Sequence, residues 1–358
     1  MKYFTTIVVF FSILGAFDKI FGNRFGLGKE FEKAFNLLGV MALSMIGMII
    51  ISPFLAEIMV PIAVFFQKVL HLDASVIPAS LFANDMGGAP MAIKMAANQK
   101  IGLYNALVVS SMMGCTISFT IPFAFGVVEK TRQQELMYGF LCGIVTIPVG
   151  CFVSGIICKI PFAMLIINLI PLILFSAIIA VGLVLTPNIC IKIFKVFSVL
   201  ISIVITFGLL LGIIRFLTGF EVIKGLATIE EGAAICLNIA IVLSGSFPFM
   251  CILSKLLAKP LKDVGKHFGI NEISVIGVIS TLVTSATAFG MMDKMDKKGA
   301  AINSAFAVSG AFVLGSHLAF TMAFDANYIL PVIVGKIVSG LTSVILTYLI
   351  FDKVTTKN

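Results

Sequence analysis

The 358-residue chain contains no tryptophan, only five tyrosines and only three histidines, and charged residues make up 12% of it. An average soluble domain carries about twice that charged fraction. A soluble chain of this length would need far more polar residues to cover its surface. The composition therefore excludes a soluble enzyme, a nucleic-acid-binding protein and a disordered chain. The scarcity of histidine also argues against a metal site built from several imidazoles.

Apolar residues make up 59% of the chain, and the mean hydropathy is +1.13. Long apolar runs recur from one end to the other, which is typical of a polytopic α-helical membrane protein. The first run is followed by charged residues instead of a cleavage site, so we expect a short membrane helix, not a signal peptide. The predicted apolar segments are 3–17, 34–56, 58–70, 75–93, 101–128, 136–158, 160–185, 193–218, 232–254, 273–292, 300–324 and 328–351.

The net charge is +8, and the basic residues stand in short loops between apolar segments. We interpret them as anchors for anionic lipid head groups, not as a nucleic-acid surface. The seven cysteines lie in or beside apolar segments and form no C-x-x-C pair, which favours a packing role. The absence of a Walker motif argues against an ATP-driven pump. We therefore expect no cofactor and no bound metal, while a homo-oligomer stays open.

Two apolar segments differ from ordinary spans. Segment 75–93 is interrupted by Asn84-Asp85-Met86-Gly87-Gly88-Ala89-Pro90, and segment 273–292 by hydroxyl residues and Gly290. Both belong to an apparent duplication, since similar residue patterns recur about 200 positions apart. The predicted organisation is an N-terminal helix and cytoplasmic loop (1–31), a first repeat (32–158), linking helices (159–230), a second repeat (231–350) and a C-terminal tail (351–358).

The basic residues distinguish two topologies for these repeats. If both broken segments span the membrane, the repeats face the same way and Lys and Arg split 14 to 10 between the two sides. If each broken segment returns to the side on which it started, the repeats are inverted, and 17 Lys and Arg collect on one side and 7 on the other. The positive-inside rule then places the N-terminus outside and the C-terminus in the cytoplasm. The predicted fold is an all-α polytopic membrane protein with about nine full spans, two broken or re-entrant segments and an inverted-topology repeat. That arrangement is typical of secondary transporters.

Asp85 is the most informative residue of the sequence. A carboxylate at membrane depth costs about 2.5–3.5 kcal/mol on insertion scales. The neighbouring glycines and Pro90 disfavour a continuous helix, and broken backbone at that depth is tolerated where it lines a cavity. Asp85 and Asn84 are therefore candidates to bind a small cation. The alternative is an interfacial loop in which Asp85 faces water.

Other polar side chains in apolar segments are further candidates. His317 offers an imidazole for a hydroxyl or a proton, and the alternative is a packed histidine. Thr284 and Thr287 offer hydroxyls in the second broken segment, although such hydroxyls commonly bond to their own helix. Asn303 is a weaker candidate because amides also join helices. Lys336 is predicted to pair with a carboxylate such as Asp85 or Asp325, or to extend toward the interface.

Several short motifs, taken together, resemble one family. They are Arg24-Phe25-Gly26-Leu27-Gly28-Lys29-Glu30-Phe31-Glu32, Asp85-Met86-Gly87-Gly88, Phe289-Gly290-Met291-Met292, Ala305-Phe306-Ala307-Val308-Ser309, Gly315-x-His317-Leu318 and Ile333-Val334-Gly335-Lys336. In order and spacing they resemble the EutH family, the ethanolamine-utilisation membrane proteins of bacteria. The resemblance implies a multi-pass permease of the bacterial cytoplasmic membrane that imports ethanolamine.

Ethanolamine is an ammonium with a hydroxyl two carbons away, so its site needs a negative group, a polar group and an aromatic face. Asp85, His317 and either Phe289 or Phe119 could supply these. The expected partners are this small molecule and membrane lipids, with no nucleic acid. Two alternatives stay open: a transporter of another small amine or polar metabolite, and an intramembrane enzyme acting on lipid head groups. The sparse charged residues disfavour the enzyme.

Overall fold

The computed structural model describes the backbone of residues 2–355 and the side chains of 5–253, 255–256 and 269–351. The end of the predicted tail, 356–358, lies outside the described residues. Helix is the only regular structure in the described part of the chain, so the all-α prediction is confirmed. The α-helices of the first half are α1 (Lys2–Ile20), α2 (Leu27–Asn36), α3 (Leu38–Met41), α4 (Gly47–Ile58), α5 (Val60–Lys68), α6 (Val76–Leu81), α7 (Gly88–Met95), α8 (Gln99–Tyr104), α9 (Ile121–Val127) and α10 (Gln133–Ile157).

The second half follows with longer helices and a second broken unit. Its helices are α11 (Phe162–Leu185), α12 (Pro187–Thr218), α13 (Ile229–Phe268), α14 (Glu272–Thr281), α15 (Ser285–Gly290), α16 (Lys297–Gly310), α17 (Ser316–Asp325) and α18 (Ile329–Thr355). Wider π-helical turns join α3 to α4 and α8 to α9, at Ala42–Ile46, Asn105–Gly114 and Thr116–Thr120.

Seven helices of the described chain are long and apolar enough to cross a membrane. They are Leu27–Ile58, Gln99–Val127, Lys130–Ile157, Phe162–Leu185, Pro187–Thr218, Ile229–Leu253 and Ser316–Phe351. Several of them carry large apolar side chains on their outer surface, as α12 does with Val199, Ile203 and Phe207, each about half exposed. A helix that is apolar on its outer as well as its inner face needs lipid around it. The fold is therefore that of a multi-pass membrane protein.

Helix α10 lies at the centre of the bundle, against α16 and α18. The motif Gly139-x-x-x-Gly143 predicts close helix packing, and the structure confirms it. A side chain at Gly139 would run into the backbone of α16, and one at Gly143 would strike Val308 on the same helix. Small residues let helix backbones approach in this way, which matters in a membrane because burial of apolar surface gives no drive there.

The broken units α6–α7 and α14–α15 are both hairpins. Asp73, just before α6, accepts hydrogen bonds from the backbone N–H groups of Ala97 and Asn98, just after α7, at 3.1 and 2.9 Å. Likewise the backbone N–H of Asn271, just before α14, donates to Asp296, just after α15, at 2.8 Å. The two ends of each hairpin therefore lie together, and the chain reverses direction at the break of each hairpin.

The two hairpins enter the bundle from opposite ends of α10. At the start of α10, Arg132 donates to the carbonyl of Met295, which follows the second hairpin, at 2.7 Å. Beyond the end of α10, the carbonyl of Lys159 accepts from Lys100, which follows the first hairpin, at 2.6 Å. Because α10 is about 37 Å long, the breaks of both hairpins point toward the middle of the bundle.

Candidate functional site

The break of the first hairpin positions Asp85. Helix α6 ends at Leu81, and a single 3₁₀ turn, Asn84–Met86, leads to Gly87, whose φ of +89° is one that glycine adopts without strain. The backbone groups left without helical partners are bound by side chains of the π-helical stretches that follow α8. Ser110 donates to the carbonyl of Phe82 at 2.5 Å, and Ser118 accepts from the N–H of Ala83 at 3.1 Å.

Asn84 is fully buried in this break, and its amide nitrogen and oxygen have no hydrogen-bond partner among the described residues. Buried polar groups are normally paired, and an unpaired one costs about 1–3 kcal/mol. Its neighbour Asp85 keeps 13% of its side chain exposed. The break therefore presents a carboxylate and an unsatisfied amide side by side, as a polar ligand would require.

A further interruption of the chain separates α16 from α17, and it is hydrogen-bonded to the second hairpin. The N–H groups of Phe312 and Leu314 donate to the carbonyls of Thr281 and Leu282, at 3.1 and 2.8 Å. Phe312 has a φ of +61°, a strained value for an aromatic residue. Segment 300–324 was expected to be continuous, and this interruption places the start of α17, with His317, at the centre of the protein.

Asp85, His317 and Lys336 form a connected buried group. Nε2 of His317 lies 3.9 Å from the Asp85 carboxylate, and Nδ1 of the same ring lies 3.2 Å from Nζ of Lys336. The Lys336 ammonium also donates to the carbonyl of Ser111 at 2.6 Å, within the π-helical stretch Asn105–Gly114. Both His317 and Lys336 are 1% exposed.

A charged Lys336 favours one tautomer of the histidine. A lysine ammonium has only donors, so in a hydrogen bond between charged Lys336 and Nδ1 of His317 the ring nitrogen is the acceptor. In the neutral ring the proton then sits on Nε2, the nitrogen that faces Asp85. The distance of 3.9 Å is longer than a hydrogen bond, so neither group fully satisfies the other.

Aromatic rings border this group on one side. Phe312 lies against His317 with 5.0 Å between ring centroids, and Phe119 packs edge-on against Phe312 at 5.6 Å. Phe123 continues the row by stacking on Phe119 at 5.2 Å. Phe289 is reached only beyond Phe123, at 6.4 Å, so Phe119 is the nearer of the two predicted rings.

The other predicted residues lie away from the carboxylate and the imidazole. Thr284 caps α15 by accepting from the N–H of Ala286 at 3.3 Å, and Thr287 is exposed. The Asn303 amide donates to the carbonyls of Ser274 and Gly299, at 2.8 and 2.9 Å, and so holds α14 against α16. The structure does not bring these three residues into contact with Asp85 or His317.

Sequence reasoning missed Phe312 and the carbonyl of Ser111. Nothing in an apolar run distinguishes Phe312, although the flanking Gly310 and Gly315 could have indicated the break around it. For Lys336 the sequence predicts a pair with a carboxylate such as Asp85 or Asp325, or extension toward the interface. Its direct partners are His317 and Ser111, and Asp85 lies on the far side of the imidazole.

A cavity of about 610 Å³ lies next to the first break. Met86 and Phe119 line it together with Ser198, Ser202 and Thr206 of α12, and it opens at the surface beside Val40 and Leu43. The cavity thus reaches the residue beside Asp85 and the predicted aromatic face. Among the described residues, no group of three or more histidine, cysteine or acidic side chains could hold a metal ion.

The chain is thus a polytopic helical membrane protein with a charged group buried between the break of the first hairpin and the start of α17. It belongs to the EutH family: the family model described as "Ethanolamine utilisation protein, EutH" matches residues 1–350. The probable ethanolamine permease EutH of Listeria monocytogenes is 43% identical over 352 residues, covering 98% of this chain and 94% of that protein.

Two further relatives carry the same name. The probable ethanolamine permeases EutH of Salmonella typhimurium and Escherichia coli are each 35% identical over 376 residues, covering 94% of this chain and 92% of each relative. The resemblance inferred from the motifs is therefore confirmed over nearly the full length. No solved structure matches the chain.

Proposed function

We propose that this protein imports ethanolamine across the bacterial cytoplasmic membrane. Membership of a family whose named members are permeases supports a transporter over an enzyme. The observation that carries the proposal for these residues is the approach of Asp85 to His317 at 3.9 Å inside the bundle, between the break of the first hairpin and the start of α17. Ionisable groups in that position are costly, and in membrane proteins they mark substrate or ion pathways.

The proposed substrate contacts follow from the chemistry of ethanolamine. Its ammonium binds the Asp85 carboxylate, and its hydroxyl forms a hydrogen bond with Nε2 of His317. The gap between these two groups is too long for a direct bond, so a small molecule that carries both functions can join them. The unsatisfied amide of Asn84 offers a third contact, and the ring of Phe119 borders the approach.

The proposed topology has about nine full spans, the two hairpins as re-entrant segments, an outside N-terminus and a cytoplasmic C-terminus. The repeats are 32–158 and 231–350, with the helices of 159–230 between them. Entry of the hairpins from opposite ends of α10 supports the inversion. Equivalent amides support the duplication: Asn105 donates to Ser75 before α6, and Asn303 donates to Ser274 within α14.

Asp85→Asn tests the substrate site. The change keeps the size of the side chain and removes its charge, so the desolvated ammonium loses its partner while the amide is cheaper to bury. Breaking a buried ion pair costs about 3–5 kcal/mol, so we expect initial uptake of labelled ethanolamine into proteoliposomes to fall at least about 100-fold. Mildly acidic pH keeps the leak of neutral amine low.

Glu57→Gln is the matched control, because it makes the same chemical change on a side chain that is 64% exposed and paired with Lys94. It should transport normally. Size-exclusion chromatography of both purified variants separates loss of uptake from loss of folding. Normal uptake by folded Asp85→Asn protein would refute the assignment of the carboxylate to the substrate.

A further inference from the structure

The buried group carries one negative and one positive charge before any substrate arrives. Asp85 supplies the carboxylate and Lys336 the ammonium, with a neutral His317 between them. Among the described side chains, the other buried acids lie near helix ends: Asp18 binds backbone N–H groups after α1, and Glu135 faces Arg132 at the start of α10. The buried group is therefore charge-balanced when no substrate is bound.

Among the described side chains, Asp85 is the one carboxylate that acts on Lys336. The titratable side chains that face its ammonium are Asp85, His317 and the thiols of Cys115 and Cys151. Tyr104 also lies nearby, but its hydroxyl donates to the carbonyl of Cys151 at 2.7 Å. Thiols and a phenol carry no charge in their protonated forms, so Asp85 is the only balancing anion in this set.

A protonated substrate would leave this buried group with a net positive charge. A buried, uncompensated charge costs several kcal/mol, which is comparable to the whole free energy of binding of a small ligand. One positive charge must therefore leave when ethanolammonium binds at Asp85. Lys336 is the group that can supply it, because lysine deprotonates readily when it is buried.

Resting on the transport function proposed above, we propose that Lys336 releases one proton for each ethanolammonium bound, so that the protein exchanges ethanolammonium for a proton. An N–H bond of Lys336 breaks, and its proton forms a bond with Nδ1 of His317. The proton on Nε2 passes to water on the side from which the substrate entered. Substrate release on the other side reverses these transfers, with a proton taken from water there.

The balance of one cycle is one ethanolammonium inward and one proton outward, with no redox step and no net charge moved. The route is continuous, since Nζ of Lys336 lies within 3.2 Å of the imidazole that faces Asp85. After the transfer Nε2 is an acceptor, and the substrate hydroxyl, which can donate as well as accept, remains bonded to it.

The experiment measures labelled ethanolamine uptake into proteoliposomes under an imposed potential, with a pH-sensitive dye inside. For the natural sequence we expect no response to an inside-negative potential, and alkalinisation of the lumen that accompanies uptake above that of protein-free vesicles. A singly charged substrate carried alone would accumulate about 50-fold at 100 mV, because a charge gains about 2.3 kcal/mol in that field.

Two substitutions at Lys336 separate the mechanisms. Lys336→Gln can still donate to the carbonyl of Ser111 but cannot exchange a proton, so uptake should become driven by the potential without alkalinisation. Lys336→Arg retains a permanent positive charge, so uptake should be lost although the protein folds. Lys94→Gln, on an exposed lysine, should behave like the natural sequence.

Potential-driven accumulation by the natural sequence would overturn the exchange while leaving ethanolamine transport intact. Electroneutral uptake with alkalinisation by Lys336→Arg would overturn it as well, even if Lys336→Gln does not fold. Absence of any uptake above protein-free vesicles would refute the transport function itself, and the exchange with it.

Discussion

Replacing His317 by alanine gives the sharpest test of how the hydroxyl is recognised. The imidazole is 1% exposed, and its Nε2 is the atom that faces Asp85. Its loss leaves the substrate hydroxyl buried without a partner, which costs about 1–3 kcal/mol. That range corresponds to a loss of about 5- to 150-fold in uptake of ethanolamine relative to an amine without the hydroxyl.

The useful quantity is the ratio of ethanolamine to ethylamine uptake, because ethylamine has the ammonium but no hydroxyl. His317→Ala also removes a partner of Lys336, and that disturbance affects both amines equally. We therefore expect the ratio to fall by the factor given above, and His317→Gln, which keeps a donor, to restore part of it. A site built to bond a hydroxyl discriminates in this way against the analogue that lacks it.

The assay compares initial rates for the two labelled amines in the same proteoliposome preparation at mildly acidic pH. His71→Asn serves as the control, since His71 is exposed and has a φ of +54°, which asparagine tolerates. A ratio unchanged within about twofold in folded His317→Ala protein would refute the hydrogen bond to the hydroxyl.

Two further predictions concern topology and the first break. In a cysteine-free background, a cysteine at Lys294 should react with an impermeant maleimide only from the cytoplasmic side, and one at Lys159 only from outside; labelling of both from the same side would refute the inverted topology. Gly87→Ala should lower the free energy of unfolding by about 1–2 kcal/mol or more, because Gly87 has a φ of +89° and its new methyl group would meet Met48. Gly39→Ala, which meets no neighbour, should not lower it, and equal thermal stability of the two variants would contradict the strained break.

The sequence allowed the centre of the site to be predicted because charge in an apolar segment has few explanations. Asp85 and His317 are 232 positions apart, and each stood out against its own apolar surroundings. Hydroxyl and amide side chains gave a weaker signal. The Thr284 hydroxyl and the Asn303 amide nitrogen bond within their own hairpin and the helix after it, although Oδ1 of Asn303 has no partner among the described residues. The pattern alone could not distinguish such bonds from ligand contact.

The break around Phe312 escaped prediction for a different reason. Its backbone polar groups are satisfied by carbonyls of the second hairpin, which lie about 30 positions earlier in the chain. The local sequence therefore resembles that of a continuous apolar helix. The interruption is tolerated because tertiary partners satisfy its backbone hydrogen bonds. The direct partner of Lys336 escaped for the same reason, because it includes a main-chain carbonyl of a π-helical stretch.

The hydrogen bonds that hold the hairpin breaks restrict how the protein can open. The first hairpin is tied to the following helix through Ser110 and Ser118, and the second is tied to the strained segment around Phe312. Neither hairpin can move alone without breaking two hydrogen bonds to its neighbouring segment. We therefore expect the protein to open by sliding each hairpin, together with the segment bonded to it, as one body past the other. A rigid molecule that clamps the two bodies together would then stop transport without touching Asp85, which makes their seam a target for inhibitors unrelated to ethanolamine.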